Sequence, residues 1–210
     1  MYPPAQFQSE ELGEAFAIAA SVRFATIVPI RGDACEAIFA PLLAVPEGDP
    51  PHFEGHLVRS NPLRALTADG PLEVRVVFHA ADGYVSPSVY AEKPVSGRVV
   101  PTWNYVAAQF VGRLEAVPDG ELMALLDRQV TDFERAADSD WRLHDAPDEY
   151  LQAMARAIFG IRFTPAGCRV HKKLSQNRPA EMVAIRDWLA SRDGTARSIA
   201  EWLEAESPAD

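Results

Sequence analysis

Lysine is scarce in this chain. Only Lys93, Lys172 and Lys173 occur in 210 residues, and Asp plus Glu exceed Lys plus Arg by 30 to 20. The net charge of −10 argues against direct DNA binding, because a nucleic-acid platform rests on phosphate neutralisation by Lys and Arg. No helix-turn-helix or zinc-finger pattern occurs. Cysteine is nearly as rare: Cys35 and Cys168 have neither metal-ligand spacing nor a disulfide framework, and read as buried structural thiols. No apolar run approaches the roughly 18 residues of a membrane helix. The start, MYPPAQFQSEELGEAF, carries acidic residues and no basic region, so no signal peptide is expected there. A cytoplasmic location is the expectation. His52, His56, His79, His144 and His171 show no HExxH or i,i+4 pairing, which disfavours a metal site. A GxSxG elbow, a P-loop and a GxGxxG turn are also missing. Most carboxylates fall on predicted helical faces and loops, where they serve solvation.

What remains is a soluble globular composition, 48% apolar with mean hydropathy −0.11, sized for one domain or one domain with a helical appendage. Ser9 can cap a helix to about Ala20, with Leu12, Phe16, Ala19 and Ala20 on one face. RFATIVPI (23–30), CEAIFAPLLAV (35–45) and HFEGHLVR (52–59) read as strands, with a Gly-Asp turn between the first two. SNPLRAL reads as a short helix capped by Asn61, with Pro62 at its first position. LEVRVVFH (72–79) alternates, with Leu72, Val74, Val76 and Phe78 on one face. Further strands are expected around 84–89, 99–105 and 105–117. DGELMALLDRQVTDFERA (119–136) has the helical period, with a stripe of Leu122, Leu125, Leu126, Val130 and Phe133. DEYLQAMARA is a second helix, IFGIRFTPAG returns to strand, and PAEMVAIRDWL and TARSIAEWLEA close the chain as helices. The residues thus predict a small antiparallel β-barrel of about six or seven strands with helical decoration.

Four stretches exceed what packing needs. GHLVRSNP places His56, Arg59 and Asn61 where a strand leads into a helix, and an arginine beside a helix start suits an anion. GYVSPSVYAEK groups Tyr84, Ser86, Ser88, Tyr90 and Lys93 around Pro87, which suits a phosphate or hydroxyl ligand but also an ordinary Ser-Pro turn. VVPTWNYVAAQFVG carries Trp103, Asn104 and Tyr105 directly after a proline, mixing flat apolar faces with polar tips. KKLSQNRP brings Lys173, Gln176, Asn177 and Arg178 together just before a helix that Pro179 can start. A flat, phosphorylated ring bearing amides fits such a set.

In order, MYPP, FATIVP, GHLVRSNP, YVSPSVYAEK, VVPTWNYVA and KLSQNRP resemble the PaiB family of FMN-binding proteins, often labelled negative transcriptional regulators. The resemblance runs from Met1 to roughly Arg178. It implies an α+β fold, a split β-barrel with peripheral helices and a helical C-terminus, akin to pyridoxamine-phosphate oxidases and flavin reductases. Residues 1–178 would form the FMN-binding domain, with inserted helices at about 119–156, and 179–210 a helical extension on it. A homodimer with flavin sites at the interface is implied. Arg59 and Lys93 become phosphate candidates, Ser86 and Ser88 their hydroxyl partners, and His56 and Asn61 line the same strand-to-helix corner. Trp103, Asn104 and Tyr105 would border the ring, and Lys173, Gln176, Asn177 and Arg178 would reach it from the partner subunit. The sequence departs from the family pattern at Val58, in AADGYVSPSVY and at Gln109, losing two histidines and a tryptophan that bear on flavin affinity. Alternatives are a flavin-dependent oxidoreductase, with Tyr105 or His56 in proton transfer, and a haem or flavin carrier with His171 or His56 as axial ligand.

Overall fold

The computed structural model describes residues 4–30 and 36–205; the Gly-Asp turn and Cys35 lie outside them. The strands are β1 (Gln8–Ser9), β2 (Phe24–Pro29), β3 (Ile38–Pro41), β4 (Leu43–Val45), β5 (His52–Val58), β6 (Leu72–Val85), β7 (Thr102–Ala116) and β8 (Ile158–Lys173). The helices are α1 (Leu12–Val22), α2 (Leu63–Leu66), α3 (Lys93–Ser96), α4 (Leu122–Ala136), α5 (Asp148–Ala155), α6 (Met182–Ala190) and α7 (Thr195–Ala205). They form one 8-stranded sheet in the order β3-β2-β6-β7-β8-β5-β4, with β1 on β8. The backbone groups into two compact units that interleave in sequence.

The first unit comprises Leu12–Phe78 and Gln109–Cys168 and holds the barrel. Its inward positions alternate as β-strands require: Val74, Val76 and Phe78 are buried while Glu73 and Arg75 are exposed. Pairing of β2 with β3 and β6, and of β5 with β4 and β8, is antiparallel. The path closes where β5 meets β3. A side chain at Gly55 would come within 2.6 Å of the Leu42 side chain and 2.9 Å of the Pro41 carbonyl, so only glycine permits this approach. Phe53, Phe78, Phe110 and Phe163 fill the centre and are essentially inaccessible. Phe16 of α1 stacks on Phe53 at 4.5 Å between ring centroids. Each such ring contributes about 1.5–3 kcal/mol through burial.

Several sequence expectations shift here. The described part of CEAIFAPLLAV holds two strands, β3 and β4, broken at Leu42, whose N–H donates to the Arg23 carbonyl. The buried stripe of α1 is Ala15, Phe16, Ile18 and Ala19, whereas Leu12 and Ala20 are exposed. On α4 the buried residues are Leu122, Leu125 and Gln129; Val130 and Phe133 are half-buried. A glutamine is tolerated inside because its amide is matched at both ends, as described below.

The second unit comprises Met1–Glu11, His79–Ala108 and Arg169–Asp210. It contains β1, the later part of β6, the start of β7, the end of β8, and α3, α6 and α7. β6 does not end at His79 and restart; it runs unbroken to Val85, where a 3-10 turn over Pro87–Val89 replaces it. β7 begins at Thr102, immediately after Pro101, and is likewise unbroken. Proline has no N–H for a ladder, so it marks the strand start. Gly83 of β6 lies against the C-terminal helices: a side chain there would reach Leu189 at 2.9 Å and the Ala196 backbone at 3.3 Å.

Candidate functional site

In the barrel unit, three of the predicted site residues have structural partners. His56 Nδ1 donates to Gln129 Oε1 at 2.8 Å, and Gln129 Nε2 donates to the Pro41 carbonyl at 3.1 Å. Gln129 is therefore a clamp among α4, β5 and the end of β3. Its place on the apolar face of a helical pattern, seven residues after Leu122, was the available sequence signal. Arg59 Nη2 donates to Asp119 Oδ1 at 2.8 Å. Asn61 Oδ1 accepts from the Leu63 N–H at 3.0 Å, but the cap position of α2 is Pro62, one residue later than the sequence pattern suggested.

The same unit holds an ionic cluster that sequence reasoning missed. Glu54 on β5 is 1% exposed. It accepts from Arg128 Nε at 2.9 Å and Arg128 Nη2 at 3.0 Å, and from Arg162 Nη2 at 3.1 Å. Burial by itself would raise the Glu54 pKa, but hydrogen bonds from Arg128 and Arg162 outweigh it and hold the carboxyl below its ordinary value.

The remaining predicted residues all lie in the second unit. Trp103 and Tyr84 form an edge-to-face pair with ring centroids 6.1 Å apart, and both stay exposed, at 53% and 43%. An exposed aromatic pair of this kind is a stacking surface. Just beyond Tyr84, Ser86 Oγ accepts from the Ser88 N–H at 3.2 Å and the Ser88 hydroxyl at 2.9 Å. Lys93 opens α3, is exposed, and meets no carboxylate among the described residues. Cation and hydroxyls are thus close in sequence, the hydroxyls on the 3-10 turn and Lys93 at the start of the next helix. Tyr105, half-buried, follows on β7.

Asn104 points inward instead. It is 0% exposed, and its Oδ1 accepts from the Ser175 hydroxyl at 3.0 Å. Its Nδ2 has no partner among the described residues. Lys173 Nζ donates to Thr102 Oγ1. Gln176 folds back on its own loop, accepting from the Leu174 N–H and donating to the Lys172 carbonyl, each at 2.7 Å. Arg178 lies 4.5 Å from the Tyr90 ring centroid and donates to Glu181 Oε2 at 2.9 Å. Asn177 is exposed. Burial raises the Tyr90 pKa. Burial, then the neighbouring Arg169 charge, lowers that of His171.

The unit therefore offers two exposed aromatic rings set edge to face, and a cation with hydroxyls nearby in sequence that meets no carboxylate among the described residues. These features fit a ring with polar edges and an anionic tail. Residues 1–165 match the family model described as "Putative FMN-binding domain". An uncharacterized protein of Emericella nidulans is 33% identical over 59% of this chain and 60% of its own length, so the match spans about three-fifths of that relative. The protease synthase and sporulation protein PAI 2 of Bacillus subtilis is 25% identical over 97% of both chains. Among solved structures, an FAD- and haem-binding protein from Mycobacterium smegmatis superposes with a TM-score of 0.57 at 15% identity, covering 80% of this chain and 73% of that one. At that identity the likeness shows the fold: an antiparallel split β-barrel with peripheral helices.

Proposed function

This chain belongs to the PaiB-like family of FMN-binding domains, and on that premise we propose that it binds FMN on the second unit and influences gene expression through its flavin rather than by reading DNA. The observation that carries the flavin reading is the exposed Trp103–Tyr84 pair with the Ser86–Ser88 turn just beyond it in sequence, and Lys93, which meets no carboxylate among the described residues. The pair offers the isoalloxazine a stacking face, and Lys93 with the two hydroxyls offers its phosphate a charge-assisted seat. FMN, when bound, supplies hydride or single-electron transfer, while the protein supplies orientation and electrostatics. The regulatory part draws on the family label, and the net charge of −10 favours an indirect route.

A homodimer belongs to the same proposal. Phe24 and Phe39 stack at 6.5 Å on the outside of β2 and β3 and are 59% and 61% exposed. An apolar outer face of this kind is what a second barrel would cover. The test of the flavin reading is titration of the apoprotein with FMN, following fluorescence quenching. Stoichiometric quenching is expected; free flavin fluorescence at every protein concentration would refute it.

A further inference from the structure

We propose that Asn104 and Ser175 form a buried positioning pair whose role is to hold the Leu174–Arg178 loop so that Asn177 faces the ligand; this rests on the FMN-binding reading above. Two local costs coincide at the pair. The first is the Asn104 amide, enclosed at 0% exposure with Nδ2 unpartnered among the described residues. Turning the amide over would pair the nitrogen with Ser175 and orphan the oxygen, so one end stays unmatched either way. A leucine of similar size would carry no such cost. The second is Ser175, 2% exposed with φ of 61°, a left-handed conformation that glycine adopts more readily than serine. Costs retained at one contact, against easy apolar alternatives, point to a requirement other than stability.

The neighbours show what is being held. Thr102 and Asn104 are on the same side of β7, and each grips a residue at the end of β8 or just beyond it: Lys173 and Ser175. Gln176 is consumed by backbone groups of its own loop, and Arg178 by Tyr90 and Glu181. Asn177 alone among the polar side chains from Lys173 to Arg178 has no hydrogen bond among the described residues, and it is exposed. The loop is a braced mount for one carboxamide, a group that both donates and accepts and so suits the alternating donors and acceptors of a flavin's pyrimidine edge. Gln176, Arg178 and Lys173 are braces.

The test is the double variant Asn104→Leu/Ser175→Ala, which removes both polar partners and with them the orphaned group. Its melting temperature is expected to equal or exceed that of the wild type to within about 3 °C. Its FMN affinity is expected to fall roughly tenfold or more, with altered visible bands of the bound flavin. Asn177→Ala should lose a comparable factor with no change in melting temperature. A folded double variant that binds FMN with wild-type affinity and spectrum overturns the inference. Should the double variant not fold, Ser175→Ala is read by the same affinity criterion. Wild-type protein that binds no FMN would instead sink the flavin reading, and this inference with it.

Discussion

Glu54→Gln is the substitution whose consequence follows most directly from the geometry. The change keeps the shape of the side chain and removes its charge, leaving two guanidinium groups facing an amide that can itself donate. Removing one partner of a buried ion pair costs about 3–5 kcal/mol. Here the loss is softened, because the Arg128 side chain is 47% exposed and Arg162, at 28% exposure, keeps Glu121 at 3.4 Å. Solvent and the second carboxylate recover part of the penalty, and about 1.5–3 kcal/mol remains. For a chain of this size that corresponds to a melting temperature lower by roughly 3–12 °C. Urea unfolding of the apoprotein measures it, with an unchanged denaturant slope as the check on two-state behaviour. The pH dependence is a second, independent reading. The folded pKa of Glu54 is lowered, so its contribution is fully present above the unfolded value of about 4.3 and is lost as pH falls through the folded value. The stabilities of wild type and Glu54→Gln should therefore converge on acidification. A difference below about 0.5 kcal/mol at neutral pH, or a gap that stays constant into acid, would refute the reasoning.

Two phosphate candidates, Lys93 in one unit and Arg59 in the other, are separated by single substitutions. Lys93→Ala is expected to weaken FMN binding by roughly 1.5–3 kcal/mol through loss of a charge-assisted contact, whereas Arg59→Ala, in the other unit, is expected to leave it unchanged; the reverse pattern in folded variants would move the phosphate seat to Arg59. Arg59→Ala also breaks the pair with Asp119, whose side chain is 67% exposed, at a stability cost of only about 0.2–1 kcal/mol. Assembly and DNA share one experiment, sedimentation with a labelled duplex at physiological salt. A species of twice the 23.0 kDa chain and free DNA are expected; a monomer at micromolar concentration contradicts the dimer, and co-sedimenting DNA contradicts the indirect route.

Alternation made the barrel legible, since Val74, Val76 and Phe78 could face only one way once Glu73 and Arg75 faced the other. Helical periodicity marked α4 equally well, and Asn61-Pro62 announced α2, although Pro62 rather than Asn61 occupies its cap position. Strand ends were harder. His79 to Val85 and the PTWNY segment look like breaks because polar and aromatic residues interrupt the apolar rhythm, yet β6 runs straight through the first and β7 starts within the second, at Thr102. A strand carries such residues where it leaves the hydrophobic core, a position set by the packing of the other elements and not by the strand's own pattern. Glu54 was invisible for another reason. A lone carboxylate in a strand reads as an outward position until α4 and β8 bring Arg128 and Arg162 to it.

The candidate site shows the same limit more sharply. Its motifs could be recognised one by one, but the resemblance treats Gln176, Asn177 and Arg178 alike and sets Asn104 beside Trp103, with no information on which way each side chain faces. Neighbouring strand residues face opposite ways, and that period separates the two: Trp103 faces outward and stays half open, while Asn104 faces inward to Ser175, 71 positions later. Which loop residue remains free depends on contacts that arise only when the end of β8 meets the start of β7. Residues rich in polar groups are thus poor guides to contact. The informative polar group is the one that the fold encloses and leaves unmatched, because water could have satisfied it at almost any other place.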